Sequence, residues 1–255
     1  MSNILVHLEN NIKTIAFDNV KRKNAITKTM VEMLHKAILE SETDGTRVII
    51  LTGEGDNFCS GADLMAGEDL ADVTKYLQNT VNPAILAMRN TNLPIIAKIS
   101  GVCVGLGFNL ALACDMLFAA DDARFSQIFT NIALSSDGGG AFFLTRRIGY
   151  YKAFELMTMA TVFTAEEAKA FDFLNKVCPK SELNDLVNTY AKHLAEGPFI
   201  ALKHTKANIR EGMNGNLEST LALEAINQGE NFKAKDFMEG VAAFMQKRKP
   251  NYTGE

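Results

Sequence analysis

Three short apolar runs constrain this chain most: residues 47–52 (RVIILT), 94–100 (PIIAKIS) and 116–119 (MLFA). The first is almost unbroken by polar residues, which predicts a strand covered on both faces. The others repeat the same pattern, and helical spacing lies between the runs. Met30, Val31, Leu34, Ala37 and Ile38 recur on one helical face, and residues 108–114 predict a second helix. Strands alternating with helices predict an α/β architecture of stacked, repeated units. Residues 4–8 and 13–17 add two strands around a Glu9-Asn10-Asn11 turn. Thr29-Met30-Val31-Glu32 has the spacing of a capping box.

From Leu144 onward the pattern is nearly all helical. Thr164-Ala165-Glu166-Glu167 is a second capping box. Leu183, Leu186, Val187, Tyr190, Ala191 and Leu194 share one helical face, and Phe237, Val241, Phe244 and Met245 share another. Gly197-Pro198 punctuates the helices. An α/β core over 1–195 and a helical region over 196–255 are therefore expected. The pattern allows that region either to cover a neighbouring subunit or to pack back on its own core.

Composition narrows the class. Lys plus Arg is 26 against 30 Asp plus Glu, a net charge of −4, which argues against nucleic-acid or anionic-membrane binding. Cys59, Cys103, Cys114 and Cys178 show no CxxC spacing, so buried reduced thiols in a cytoplasmic protein are expected, with no metal site. His7, His35, His193 and His204 show no ligand spacing. The N-terminus lacks a basic-then-apolar leader pattern. The apolar stretch 101–120 is interrupted by Asn109 and Asp115, which argues against a membrane span.

Three glycine-bearing segments carry the chemistry. The first is 57–64 (NFCSGADL), directly after the first apolar run. The second is 101–111 (GVCVGLGFNLA), a strand, a glycine turn and a helix start, where free N–H groups and the positive end of a helix dipole collect. The third is 135–140 (SSDGGG). Gly105 and Gly107 could serve helix–strand packing alone, and Asp137 could serve only as a helix N-cap.

Taken together, SGADL, GVCVGLGFNLALACD, DGGG followed by LTRRIG, FTAEEAKAFDFLNKV and the closing EGVAAFMQKRKPNY resemble the crotonase (enoyl-CoA hydratase/isomerase) family over essentially the whole chain. The resemblance implies a crotonase-like ββα spiral core with a C-terminal helical trimerisation region, assembled as a homotrimer or a dimer of trimers. It implies an acyl-CoA thioester as substrate, with coenzyme A part of that substrate and no separate cofactor. It implies that the backbone N–H groups of Ala62 and Leu106 form an oxyanion hole. Two fixed donors on a thioester oxygen would stabilise an enolate, each worth about 3 kcal/mol. The basic loop Lys21-Arg22-Lys23-Asn24-Ala25 matches the family's seat for CoA, completed by Ser60, Ala62, Asp63 and Leu64. Lys21 is the expected charge contact, and Arg22 and Lys23 are expected to lend backbone. Read from composition alone, the same loop is equally a solvated face.

The resemblance also marks departures. Hydratases of the family carry two glutamates, where this chain has Asn109 and Phe129. An amide and a phenyl ring are not proton acceptors of the required kind. Asp137 aligns with the acidic residue of the isomerase branches, the Δ3,Δ2-enoyl-CoA and phenylacetate-pathway isomerases. Phe129, Phe142 and Phe143 are expected to line a pocket that raises its pKa. The expected activity is a C2-to-C4 proton shift with a single Asp base. The alternatives are a hydratase-like protein of weak activity, an Asp-nucleophile dehalogenase or hydrolase, and a non-catalytic acyl-CoA binder. The dehalogenase branch carries a Trp where Phe129 stands, and this chain has no Trp.

Overall fold

The computed structural model describes residues 3–66 and 72–255. Strand β1 (Asn3–Glu9) turns back on β2 (Ile12–Asp18) through Asn10 and Asn11. Both asparagines have positive φ, 51° and 63°, as a two-residue type I′ hairpin turn requires. Helix α1 (Lys28–Glu40) follows, then β3 (Val48–Gly53), a short α2 (Val73–Tyr76) that runs on toward α3 (Asn82–Asn90), and β4 (Ile95–Ile99). Next come β5 (Val102–Val104), α4 (Leu106–Leu112), β6 (Met116–Ala120) and β7 (Arg124–Ser126). The second half holds α5 (Gly140–Met159), β8 (Phe163–Thr164), α6 (Ala165–Ala170), β9 (Lys176–Cys178) and α7 (Leu183–Ala195). Helices α8 (Phe199–Asn214), α9 (Leu217–Asn231) and α10 (Lys235–Gln246) close the chain.

The strands form a six-stranded sheet in the order β1-β2-β3-β4-β6-β9 and a three-stranded sheet in the order β5-β7-β8. The apolar runs are the central parallel strands β3, β4 and β6, buried on both faces. Alternate residues serve two cores. Ile49, Leu51, Ile95, Ala97 and Ile99 pack with the inner faces of α1 and α3. Val48, Ile50, Ile96 and Phe118 pack against Leu183, Val187, Ala191 and Leu194 of α7. That explains why these strands read as near-continuous apolar runs.

Several expectations are corrected. Thr27, not Thr29, caps α1: its backbone is extended and its hydroxyl accepts from Met30 N at 3.3 Å, so the helix starts two residues earlier. The helix expected over 108–114 begins at Leu106. The second half is nearly all helical, as expected, and adds only β8 to the three-stranded sheet and β9 to the six-stranded one. They hold only two and three residues, too few to show a period of two. Cys178 is half-exposed, whereas Cys59, Cys103 and Cys114 are buried. The Thr164 capping box is present in full. The α10 face does not pack back on the core within the chain, as Val241, Phe244 and Met245 are exposed. No helix among the described residues is long and apolar enough to cross a membrane.

Candidate active site

Two of the glycine segments meet because the chain pairs them. After β3, Phe58 N donates to Ser100 O (2.8 Å), Cys59 N to Val102 O (2.9 Å) and Val104 N to Cys59 O (3.0 Å). Cys59 and Cys103 are thereby partners in a parallel bridge. This registers residues 60–62 against the turn at Gly105, which holds φ 55° and opens α4. The approach is close. A Cβ on Gly61 would lie 3.7 Å from Leu106 N, and one on Gly107 would lie 2.6 Å from Cys59 Cβ. The packing role of the glycines and the exposure of free amides therefore coexist here.

The amides of Ala62 and Leu106 donate to no group among the described residues. For Ala62 the cause is strand geometry. Ile26 N donates to Gly61 O (2.8 Å) and Asp63 N to Ile26 O (2.9 Å), which turns the intervening N–H away from Ile26. For Leu106 the cause is its place in the first turn of α4, where amides lack intrahelical acceptors.

The third segment closes over α4. A Cβ on Gly138 would meet Leu106 Cδ1 at 2.7 Å, which seats the Asp137–Gly138 turn on the residue that bears one free amide. Asp137 is not the cap of α5. Gly139 holds that position, with no side-chain cap. One carboxylate oxygen, Oδ1, is buried without a hydrogen-bond partner among the described residues. Burial pushes the Asp137 carboxyl up to about 6, opposed only by its own backbone N–H. A cavity of about 460 Å³ opens beside this turn, lined by Gly138, Gly139, Phe142, Phe143, Ile85 and Arg89 among others. Phe129 is buried but does not line it, contrary to expectation.

Residues 21–23 are exposed and the loop is tied to residues 60–63. Ser60 N donates to Lys23 O (3.0 Å) and Ser60 Oγ to Arg22 O (2.9 Å). The carbonyls of Arg22 and Lys23 are thus already engaged. The Arg22 side chain, expected to be passive, pairs with Asp63 at 2.5 Å. Asp63 also accepts from Met65 N (3.0 Å), so it holds the loop that follows Ala62. Ala25 is buried, and Leu64 is exposed. Sequence reasoning missed Asn24 and Asn57. Asn24 Nδ2 donates to Glu54 O and Asn57 O, and Asn57 Oδ1 accepts from Val102 N (3.0 Å). An asparagine set among turn residues is the signal that could have found them. Among the described residues no cluster of His, Cys, Asp or Glu could hold a metal ion.

Residues 7–255 match the family model described as enoyl-CoA hydratase/isomerase. The chain belongs to the enoyl-CoA hydratase/isomerase family. It is an enzyme of that crotonase superfamily, with the crotonase fold, and an acyl-CoA thioester substrate fits the family. Among its relatives, the 1,2-epoxyphenylacetyl-CoA isomerase of Escherichia coli is 31% identical over 261 residues, covering all of both chains. The mitochondrial methylglutaconyl-CoA hydratase of Mus musculus is 33% identical over 264 residues, covering 98% of this chain and 82% of the mouse protein. The crystal structure of enoyl-CoA hydratase from Bacillus anthracis superposes with a TM-score of 0.93 at 31% identity, covering 99% of this chain and all of the other. Family members with this fold thus carry both hydratase and isomerase names.

Proposed function

We propose that this family member is an enoyl-CoA double-bond isomerase that uses Asp137 as its single base. One observation carries the reading. Of the three positions 109, 129 and 137, only 137 bears a carboxylate, and that carboxylate is half-buried with its pKa raised to about 6. A base with that pKa is largely ionised near neutral pH and still basic enough to take a carbon-bound proton activated by a thioester.

In the proposed reaction the thioester oxygen of a 3-enoyl-CoA accepts from Ala62 N–H and Leu106 N–H. Asp137 removes a proton from C2. The freed electron pair moves toward the thioester oxygen, giving a dienolate that the two amides stabilise more than the starting ester. Asp137 returns the proton to C4, leaving a C2=C3 double bond. No water is consumed and no cofactor is used. Lys21 meets a CoA phosphate, the Ser60–Leu64 segment lies along the CoA moiety, and the acyl group extends toward Phe142 and Phe143.

The test compares isomerisation of 3-enoyl-CoA with hydration of 2-enoyl-CoA by the same preparation, run in D2O. Isomerisation at least 100-fold faster, with the C2 hydrogen carried to C4 so that C4 gains less than one deuterium, is the expected result. Comparable rates would overturn the reading.

Assembly belongs to the same proposal. Phe244, Met245 and Met238 of α10 and Tyr151 of α5 are each more than half exposed. Copies of the chain covering these faces would form a homotrimer. Sedimentation equilibrium should give three times the 27.9 kDa chain mass, or six times for a dimer of trimers. A monomer at micromolar concentration would reject it.

A further inference from the structure

Asn109 lies wholly buried beneath the Asp137 turn. Its amide Nδ2 donates to Asp137 O at 2.7 Å and to Ser136 Oγ at 3.2 Å. Its Oδ1 accepts from Gln127 Nε2 at 2.7 Å. The ring closes where Ser136 Oγ donates to Gln127 Oε1 at 3.2 Å. Gln127 is also wholly buried.

The direction of this ring is fixed by chemistry. A main-chain carbonyl only accepts, so the group facing Asp137 O must donate. That puts Asn109 Oδ1 toward Gln127, which must then present its NH2 there and its own oxygen to Ser136. The space is closed as well. A Cβ on Gly140 would lie 2.6 Å from Asn109 Oδ1, so the amide has no room to swing aside. A carboxylate at 109 would set two acceptors face to face, at a cost of both a lost hydrogen bond and a buried unpaired charge.

We infer that Asn109, held by Gln127 and Ser136, is a positioning residue that fixes the backbone of Asp137 and so aims its carboxylate at the substrate. This rests on the proposal that Asp137 is the base. A short Asp side chain has two torsions, so its reach is set almost wholly by where its backbone is pinned. The pin here is a side chain 28 positions earlier, on the helix that also supplies the Leu106 amide. Base and oxyanion donor are thus built on one support.

The elements packed against the turn add little charge. Residues 106–112 and 127–136 contain no titratable side chain. The charged groups on the wall of the neighbouring cavity are Arg89 of α3 and Arg210 of α8. A carboxylate introduced at 109 would be the one close anion, and it would oppose ionisation of Asp137.

The test measures kcat, KM and the pH profile for 3-enoyl-CoA isomerisation in Asn109→Asp and Ser136→Ala, with Asp137→Asn in parallel. Asn109→Asp should lower kcat about 100-fold with KM within about threefold. The half-rise of its kcat/KM should move above pH 6. Ser136→Ala removes one link, leaves the fold intact, and should lower kcat about three- to tenfold with KM unchanged. A 13C titration of the Asp137 carboxyl in Asn109→Asp reads the same upward shift without turnover. Wild-type kcat in Ser136→Ala, or an unmoved Asp137 titration in Asn109→Asp, would overturn the positioning role. If those variants are silent while Asp137→Asn is inactive, only this inference falls. If Asp137→Asn keeps full activity, the proposed function falls first.

Discussion

Asp137→Asn is expected to lower turnover of 3-enoyl-CoA by about 10³-fold, within the range for loss of a positioned general base. It should at the same time make the protein more stable at pH 8. Both effects have one cause. Burial raises the carboxyl from its usual 3.8 to about 6, so the native state holds the proton more tightly than the unfolded chain. Stability therefore falls as pH rises from about 4 to about 6, and above that window the folded protein carries a destabilising charge. The full shift corresponds to about 3 kcal/mol, an upper figure because Asp137 is only half-buried. The amide carries no such charge. Urea midpoints should agree at pH 4 and separate at pH 8, with the variant higher. In wild type, kcat/KM should rise through about pH 6 as Asp137 ionises. Equal midpoints at pH 8 would remove the desolvated carboxylate, and wild-type turnover would remove Asp137 from the chemistry.

Gly107→Ala is expected to be nearly as damaging without touching a side chain of the site. The added Cβ would lie 2.6 Å from Cys59 Cβ and 2.7 Å from both Cys59 O and Cys59 Sγ. Cys59 is fully buried, so neither backbone can yield cheaply. The first turn of α4 must move away from the 59–62 segment by most of an ångström, to about ordinary van der Waals distance. The Ala62 and Leu106 amides would then no longer be placed to share one oxygen, as the proposed reaction requires. Loss of one such donor costs about 10²- to 10³-fold in turnover, and overpacking adds about 1–3 kcal/mol of destabilisation. Gly229→Ala is the matched control. It lies in α9 with nothing within 4 Å of its Cβ and should be neutral or slightly stabilising. The check is kcat/KM and a urea midpoint for both variants. A fully active Gly107→Ala would show that the close approach does not set the donor geometry.

Legibility in the sequence followed the length scale of each feature. β3, β4 and β6 were readable because a strand buried on both faces leaves an almost unbroken apolar run. The α7 face was readable because six residues repeat at helical spacing. β7, β8 and β9 were not, because two or three residues carry no period. The segments holding Ala62, Leu106 and Asp137 stood out by their glycines. The contacts that arrange them did not. Asn109, Gln127 and Ser136 are separated by 18 and 9 positions, and a hydrogen-bonded ring leaves no periodic trace. Arg22 reads as one cation of a basic cluster, and only the folded chain shows that Asp63 neutralises it.

The two amides at 62 and 106 belong to the main chain, and every residue except proline supplies the same N–H. Point substitution at either position leaves the donor in place, provided that the local turn survives. The side chains at 109, 129 and 137 have no such protection, since each single change there alters which protons can move. With the two amides in the role proposed for them, a lineage built on this scaffold can exchange one reaction for another by drift at a few side chains, while its hold on the thioester oxygen is inherited unchanged.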